Sequence, residues 1–237
     1  PALLTEKHLT PFMDPEVSCS AVIPPIEEVV DCSPKLKMCC DSIVKVWKEN
    51  PACGQVLYMP KGTDAYPHII NYMVKQGVPR EVFATIEGTD ATIGGKKLKG
   101  ADAREDIAQQ FNDKKNKCKI LIGSSAISEG MDLNGNSVAL YNTMLGWNPA
   151  ETIQVEGRIW RQGNQQGRVH IVYPLVEGSI DSFLYQKHDE KKSRIDDLFR
   201  YKGSTLNVAE INPEEMKWEL IKDPRKRAEL DLNEAKA

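Results

Sequence analysis

No apolar run in this chain approaches the roughly 18 residues that a membrane helix requires. No charged-then-apolar leader opens it, and it holds no Asn-x-Ser/Thr sequon. Its six cysteines (Cys19, Cys32, Cys39, Cys40, Cys53 and Cys118) form no Cys-x-x-Cys, and its four histidines form no His-x-x-x-His. That spacing argues against a zinc site and for reduced thiols, so the setting reads as cytosolic. A phosphate-cradling loop needs Gly-x-x-x-x-Gly-Lys-Ser/Thr. Here Gly95-Lys96 is followed by Lys97, and Asp90 stands where the first glycine belongs. No dinucleotide fingerprint and no Asp-Glu-x-His appears either. A calcium loop over Asp132-Leu-Asn134-Gly-Asn136 fails at its sixth position, where Ser137 replaces the turn glycine. No metal ligands are therefore assigned.

Positive charge is not in excess. The 237 residues carry a net charge of −3, so any contact with nucleic acid must come from a local patch. Hydrophobic content of 41% and charged content of 27% describe an ordinary globular protein. The first residue is Pro1, which fits a fragment cut from a longer protein. Residues 1–32 are Pro-rich and read as a linker from an upstream domain.

Ser33-Pro34 opens a helix that runs to about Glu49, with serine as cap and proline in the first turn. Its apolar stripe is Leu36, Cys39, Cys40, Ile43, Val46 and Trp47. A strand over Gln55–Met59, a helix over about Asp64–Gln76 and a strand over Glu81–Ile86 follow. Residues 88–101, rich in glycine and lysine, read as a flexible loop. A helix at about 102–113 leads to strands at 119–123 and Ser137–Tyr141. The helix that carries Arg158 and a strand over Arg168–Tyr173 complete the series. Strands alternating with helices imply a mainly parallel, doubly wound α/β sheet. After Gly178 a long helix extends to about Tyr201, amphipathic at Ile180, Phe183 and Leu184 and mixed in charge from Lys187 to Arg194. The tail from about 204 is polar, with a short helix expected over Pro213–Ile221. The expected division is 1–32 linker, 33–177 main lobe and 178–237 helical extension.

Two motifs carry chemistry. Trp147-Asn148-Pro149 precedes Gln154-Val-Glu-Gly157-Arg158-Ile-Trp-Arg161-Gln-Gly163. Arginines three residues apart share one helix face. Two planar, always-charged forks on one face suit a phosphate chain. Upstream, Lys119-Ile-Leu-Ile-Gly123 runs into Ser124-Ser125-Ala-Ile-Ser128-Glu129-Gly130-Met131-Asp132-Leu133. An apolar strand that ends in small hydroxyl residues and a glycine turn places those groups at a strand's carboxyl end, where open α/β sheets bind ligands.

In this order and spacing the two motifs resemble the last motor motifs of superfamily 2 helicases, in particular the Swi/Snf-like DNA translocases. The resemblance covers roughly residues 33–200 and implies the C-terminal RecA-like lobe: a three-layer fold followed by a C-terminal helical extension. It implies that Arg158 and Arg161 reach the ATP γ-phosphate across a cleft, with Gln154 at the same interface. Gly130 and Asp132 would lie near the nucleotide sugar, and Ser124 and Ser125 would touch DNA phosphate. The lysines of the 88–101 loop, Lys96 and Lys97 above all, are further candidates for DNA contact. ATP and Mg²⁺ would be held mainly by a first RecA-like lobe, the partner that carries the phosphate cradle. Trp147 is expected to pack in the core, and Asn148 to cap the next helix. The sequence departs from the Swi/Snf pattern after Arg161, with Gln162-Gly163-Asn164 where Ile-Gly-Gln is usual. The rival readings are an ATPase-inactive, helicase-like binding or scaffold module and an RNA helicase lobe.

Overall fold

The computed structural model describes residues 25–98, 102–128, 130–146, 148–176 and 179–201. Residues 1–24 of the expected 1–32 linker, Glu129, Trp147, Gly178 and the helix expected over Pro213–Ile221 lie outside them; in the rest of that segment Ile26–Glu28 form a 3-10 turn and Val29 and Val30 are buried in the core.

The chain divides into two compact units. Of the described residues, the first unit holds those up to Met144 together with Ile153–Pro174. The second holds Leu145–Thr152 and those from Leu175 onward.

A seven-stranded sheet forms the first unit. Its strands are β1 (Gly54–Tyr58), β2 (Phe83–Glu87), β3 (Asp90–Ile93), β4 (Lys96–Leu98), β5 (Ile120–Gly123), β6 (Ser137–Asn142) and β7 (His170–Val172). Their spatial order is β4-β3-β2-β5-β1-β6-β7. The five strands from β2 to β7 in that order are parallel, with Gln55 opposite Ile120 and Leu57 opposite Tyr141. Every residue of β1 is buried, as the centre of a parallel sheet covered on both faces requires.

The two coverings follow from the pleat, which sends alternate residues to opposite faces. On one face, Leu57, Phe83, Ile120 and Ile122 pack against α1 (Pro34–Glu49) and α2 (Tyr66–Lys75). On the other, Val56, Ala84, Leu121 and Leu140 pack against α3 (Ala103–Asn112) and α4 (Pro149–Ile159), through Ile107, Phe111, Val155 and Ile159. The result is the three-layer, doubly wound α/β arrangement of a RecA-like lobe. Helix α1 starts as its sequence dictates: Ser33 Oγ accepts from the Leu36 amide over 3.3 Å, with Pro34 at the first helical position. The apolar side of α1 buries Cys39 and Cys40 as free thiols.

One segment departs from expectation. Residues 88–101 read as a flexible loop, yet Asp90–Ile93 and Lys96–Leu98 form an antiparallel hairpin on the edge of β2. Three things hold it: the ladder from Ala84–Ile93 to Glu87–Asp90, a hydrogen bond between the Thr85 and Thr92 hydroxyls, and a turn at Gly94 and Gly95 with positive φ. Residues 99–101 lie outside the described part. Two strands also begin later than expected. Arg80–Val82 is a 3-10 turn ahead of β2, and β7 spans only three residues.

In the second unit, α5 (Ile180–Tyr201) is the long helix expected after residue 178. Thr152 Oγ1 and His188 Nε2 stand 3.0 Å apart, both buried. Asn148 accepts from the Ala150 amide over 3.0 Å, the capping role expected of it.

Candidate functional site

The site grows from the carboxyl end of β5. Gly123 lies against Ile127, whose side chain leaves no room for a Cβ. The chain then turns through a 3-10 segment, Ser125–Ile127. Ser124 is largely shielded: its amide donates to Ile86 O over 3.0 Å, and its hydroxyl accepts from the Gly88 amide over 3.4 Å. Ser125 is exposed at the rim. Gly130 has φ +75°, a conformation that favours glycine, and leads into buried Met131 and exposed Asp132.

The segment after Asp132 is sewn to the end of α4. The Leu133 amide donates to Arg158 O over 3.0 Å, and Asn134 Nδ2 donates to Gln162 O over 2.9 Å. Asn164 Nδ2 donates to both Ser137 O and Ile159 O, at 3.0 and 3.1 Å. Asn164 therefore closes the carboxyl end of α4, which gives the unusual Gln-Gly-Asn sequence a structural role. From the other side, Asn112 at the end of α3 donates to Asp132 O over 2.8 Å and accepts from the Gly135 amide over 2.9 Å.

This stitching brings both arginines to one carboxylate. Arg161 Nη1 donates to Asp132 Oδ1 over 2.6 Å, and Arg158 Nη1 stands 3.7 Å from the same oxygen. Arg158 Nε also donates to Ser128 O over 3.1 Å. The side chains of Arg161 and Asp132 are 56% and 59% exposed, whereas that of Arg158 is 27% exposed. Gln154 lies on the exposed side of α4 with Gly157 and Trp160. A cleft of about 540 Å³ is lined by Asp132 together with Asp102, Arg104, Asn112 and Gly130 among others.

Of the residues singled out in the sequence, Arg158, Arg161 and Asp132 come together, with Gly130 two residues from Asp132. Lys96 and Lys97 do not join them. By register Lys96 is level with Leu121, three residues short of Ser124 and three strand spacings away. That is roughly 14 Å across the sheet and roughly 10 Å along it. Asn112 and Asn134, which hold the Asp132 turn in place, were not anticipated. Their partners are backbone groups 20 or more residues away, which no local pattern encodes.

Residues 84–163 match the helicase conserved C-terminal domain. The chain is 38% identical over 91 residues to the DNA repair and recombination protein RAD54B of Gallus gallus, covering 38% of this chain and 10% of that protein. It is 27% identical over 165 residues to the SWI/SNF-related matrix-associated actin-dependent regulator of chromatin subfamily A-like protein 1 of Xenopus tropicalis, covering 70% of this chain and 16% of that one. Among solved structures, the C-terminal part of the Fun30 ATPase domain superposes with a TM-score of 0.54 at 14% identity, covering 80% of this chain and 52% of that one. The chain spans about a tenth of the length of the RAD54B relative. The fold is that of a RecA-like lobe, and residues 84–163 of it are similar to the helicase conserved C-terminal domain. Over the matched segments the chain is similar to RAD54 and SWI/SNF-related proteins.

The donor set fits a phosphoryl group. Two guanidiniums already converge on one carboxylate oxygen, and a phosphoryl oxygen is an oxyanion of the same kind. It does not fit a metal ion, because no three His, Cys, Asp or Glu side chains converge among the described residues.

Proposed function

We propose that this chain is the second motor lobe of an ATP-dependent DNA helicase or translocase, and that Arg158 and Arg161 are its arginine fingers. The observation that carries this reading is the convergence of both guanidiniums on Asp132 Oδ1 at the carboxyl rim of the sheet. A cationic pair held there, with Arg161 more than half exposed, is available to a phosphate presented by a facing lobe. Charge that spreads over the phosphoryl oxygens in the transition state would meet two fixed forks, and closure of the two lobes would assemble the site. ATP and Mg²⁺ would be held mainly by the first lobe, with Gly130 and Asp132 beside the nucleotide sugar and Gln154 at the interface. Ser125 would form part of the DNA surface, with the shielded Ser124 holding the turn beneath it. The naming of relatives for DNA repair, recombination and chromatin supports DNA over RNA as the substrate.

DNA-stimulated ATP hydrolysis by a motor that holds both lobes tests the reading. Arg158→Ala and Arg161→Ala should each cut kcat by about 10³–10⁵, and Lys at either position should restore little. This chain alone should not turn over ATP. Steady hydrolysis by the chain alone, abolished by Arg158→Ala, would overturn the shared-site reading. No turnover from the two-lobe motor with any DNA or RNA would favour a scaffold module.

A further inference from the structure

We infer that Asp132 is a positioning residue for the arginine pair: it holds Arg158 and Arg161 in register while the site is open, and the nucleotide phosphate must displace it. The inference rests on the proposed role of the two arginines. Its own observation is that one carboxylate oxygen serves both guanidiniums.

Three features make Asp132 a holder rather than a passing contact. Its backbone is clamped by Asn112 Nδ2 on its carbonyl, and the next residue, Leu133, donates to Arg158 O. The carboxylate is thus fixed relative to the helix that carries Arg158 and to the turn after it that carries Arg161. Arg158 is anchored a second time, by Nε on Ser128 O, which leaves its Nη1 end directed at Asp132. Arg161 has only the Asp132 contact among the hydrogen bonds and ion pairs of its guanidinium in the described residues. It is also the more exposed of the two, so it is the fork that a phosphate can take over.

The pairing has a consequence opposite in sign to that of a nucleotide contact. A carboxylate that occupies the arginines competes with phosphate, and the apparent affinity for nucleotide is reduced by the fraction of lobes in which the pair is closed. Exchange requires no bond making, only replacement of one oxyanion by another on the same guanidinium. If Asp132 instead served mainly to bind the ribose, its removal would weaken nucleotide binding.

Asp132→Asn keeps the shape and one acceptor oxygen but removes the charge. In the two-lobe motor, with ATP and Mg²⁺ as the probe, this variant should lower KM for ATP by up to about fivefold, the fold-change that matches an exposed ion pair. Asp132→Glu should return KM toward the parent value. A raised KM would assign Asp132 to the nucleotide and overturn the inference. An unchanged KM, with kcat following the folded fraction, would make it a structural residue and overturn it equally. A second measurement needs no catalysis. Modification of Arg161 by an arginine-selective dicarbonyl, followed by peptide mapping in this chain, should be faster in Asp132→Asn than in the parent. Equal rates would refute the pairing. If the arginine variants leave ATPase unchanged while the dicarbonyl rates differ, the proposed function fails and the ion pair stands.

Discussion

Arg158 donates from Nε to the carbonyl of Ser128 over 3.1 Å, which ties the helix of the Gly-Arg-x-x-Arg motif to the turn that follows β5. Arg161, three residues on and past the helix end at Ile159, has no such anchor among the described residues and is about twice as exposed, 56% against 27%. The two arginines are alike in sequence and unlike in their duties.

That difference predicts different stability costs. Arg158→Ala should lower stability by about 1–2 kcal/mol, because a part-buried carbonyl loses a charged donor. Arg161→Ala should stay within about 0.5 kcal/mol, as surface changes do. Both should still abolish most of the DNA-stimulated ATPase of the two-lobe motor. Thermal melting beside turnover decides it. Equal melting shifts would mean that the Ser128 contact contributes nothing, and rates that merely follow the folded fraction would make both arginines structural.

Gly157 is helical, its φ is not positive, and a Cβ there would meet nothing within 4 Å. The fold of this lobe therefore gives no reason for glycine, which costs about 1 kcal/mol against alanine inside a helix. Gly157→Ala should stabilise the chain by about 0.5–1 kcal/mol in urea unfolding. If the exposed face of α4 meets a facing lobe, the same variant should reduce turnover in the two-lobe motor. A variant that is more stable and fully active would show that the open face is not used.

Much of this lobe was legible in its sequence because the informative patterns are local. The Ser33-Pro34 start, the stripe from Leu36 to Val46 and the apolar run Ile120–Gly123 each declare themselves within a few residues. The β3–β4 hairpin was hidden because its strands are only four and three residues long: Ala91 and Ile93 alternate with polar neighbours over too short a run to stand out, and their order comes from the β2 ladder. The candidate site divides in the same way. The Arg158–Arg161 spacing is visible as sequence. Their convergence on Asp132 is not, since it depends on bonds from the Asn112 side chain and the Leu133 amide that span 20 residues or more.

The thiols offer a pH-dependent test. Burial pushes Cys39 and Cys118 up to about 12, and burial raises Cys40 further still. Cys32 is exposed. At neutral pH a maleimide should label Cys32 within minutes and leave Cys39, Cys40 and Cys118 protected until the chain unfolds, as read by peptide mass mapping. Folded-state values above the ordinary thiol value of 9.0 mean that the unfolded chain sheds these protons first. Their contribution to stability is therefore full below pH 9.0 and declines as pH rises toward about 12. Rapid labelling of Cys39 in the native chain would contradict the packing of α1 on the sheet.

DNA binding by this chain should be weak and steeply dependent on salt, and the geometry says how its parts combine. Lys96 and Lys97 lie on the edge strand of the sheet, far from Ser125 at the rim, so they form a separate patch rather than one groove with it. Each phosphate neutralised on duplex DNA contributes about −0.9 to the slope of log K against log salt. If the lysines bind DNA, Lys96→Ala with Lys97→Ala should make the slope shallower by up to about 1.8. Ser125→Ala, which removes no charge, should weaken binding without altering the slope. Because the sites are more than the roughly 7–10 Å over which substitutions usually couple, the free-energy losses should add to within about 0.5 kcal/mol in the triple variant. Fluorescence anisotropy at several salt concentrations measures all of this. The competing account is that lysines on an exposed edge strand serve to discourage pairing with other chains. In that case the double substitution leaves the slope where it was and promotes self-association, and the hairpin is no part of the DNA surface.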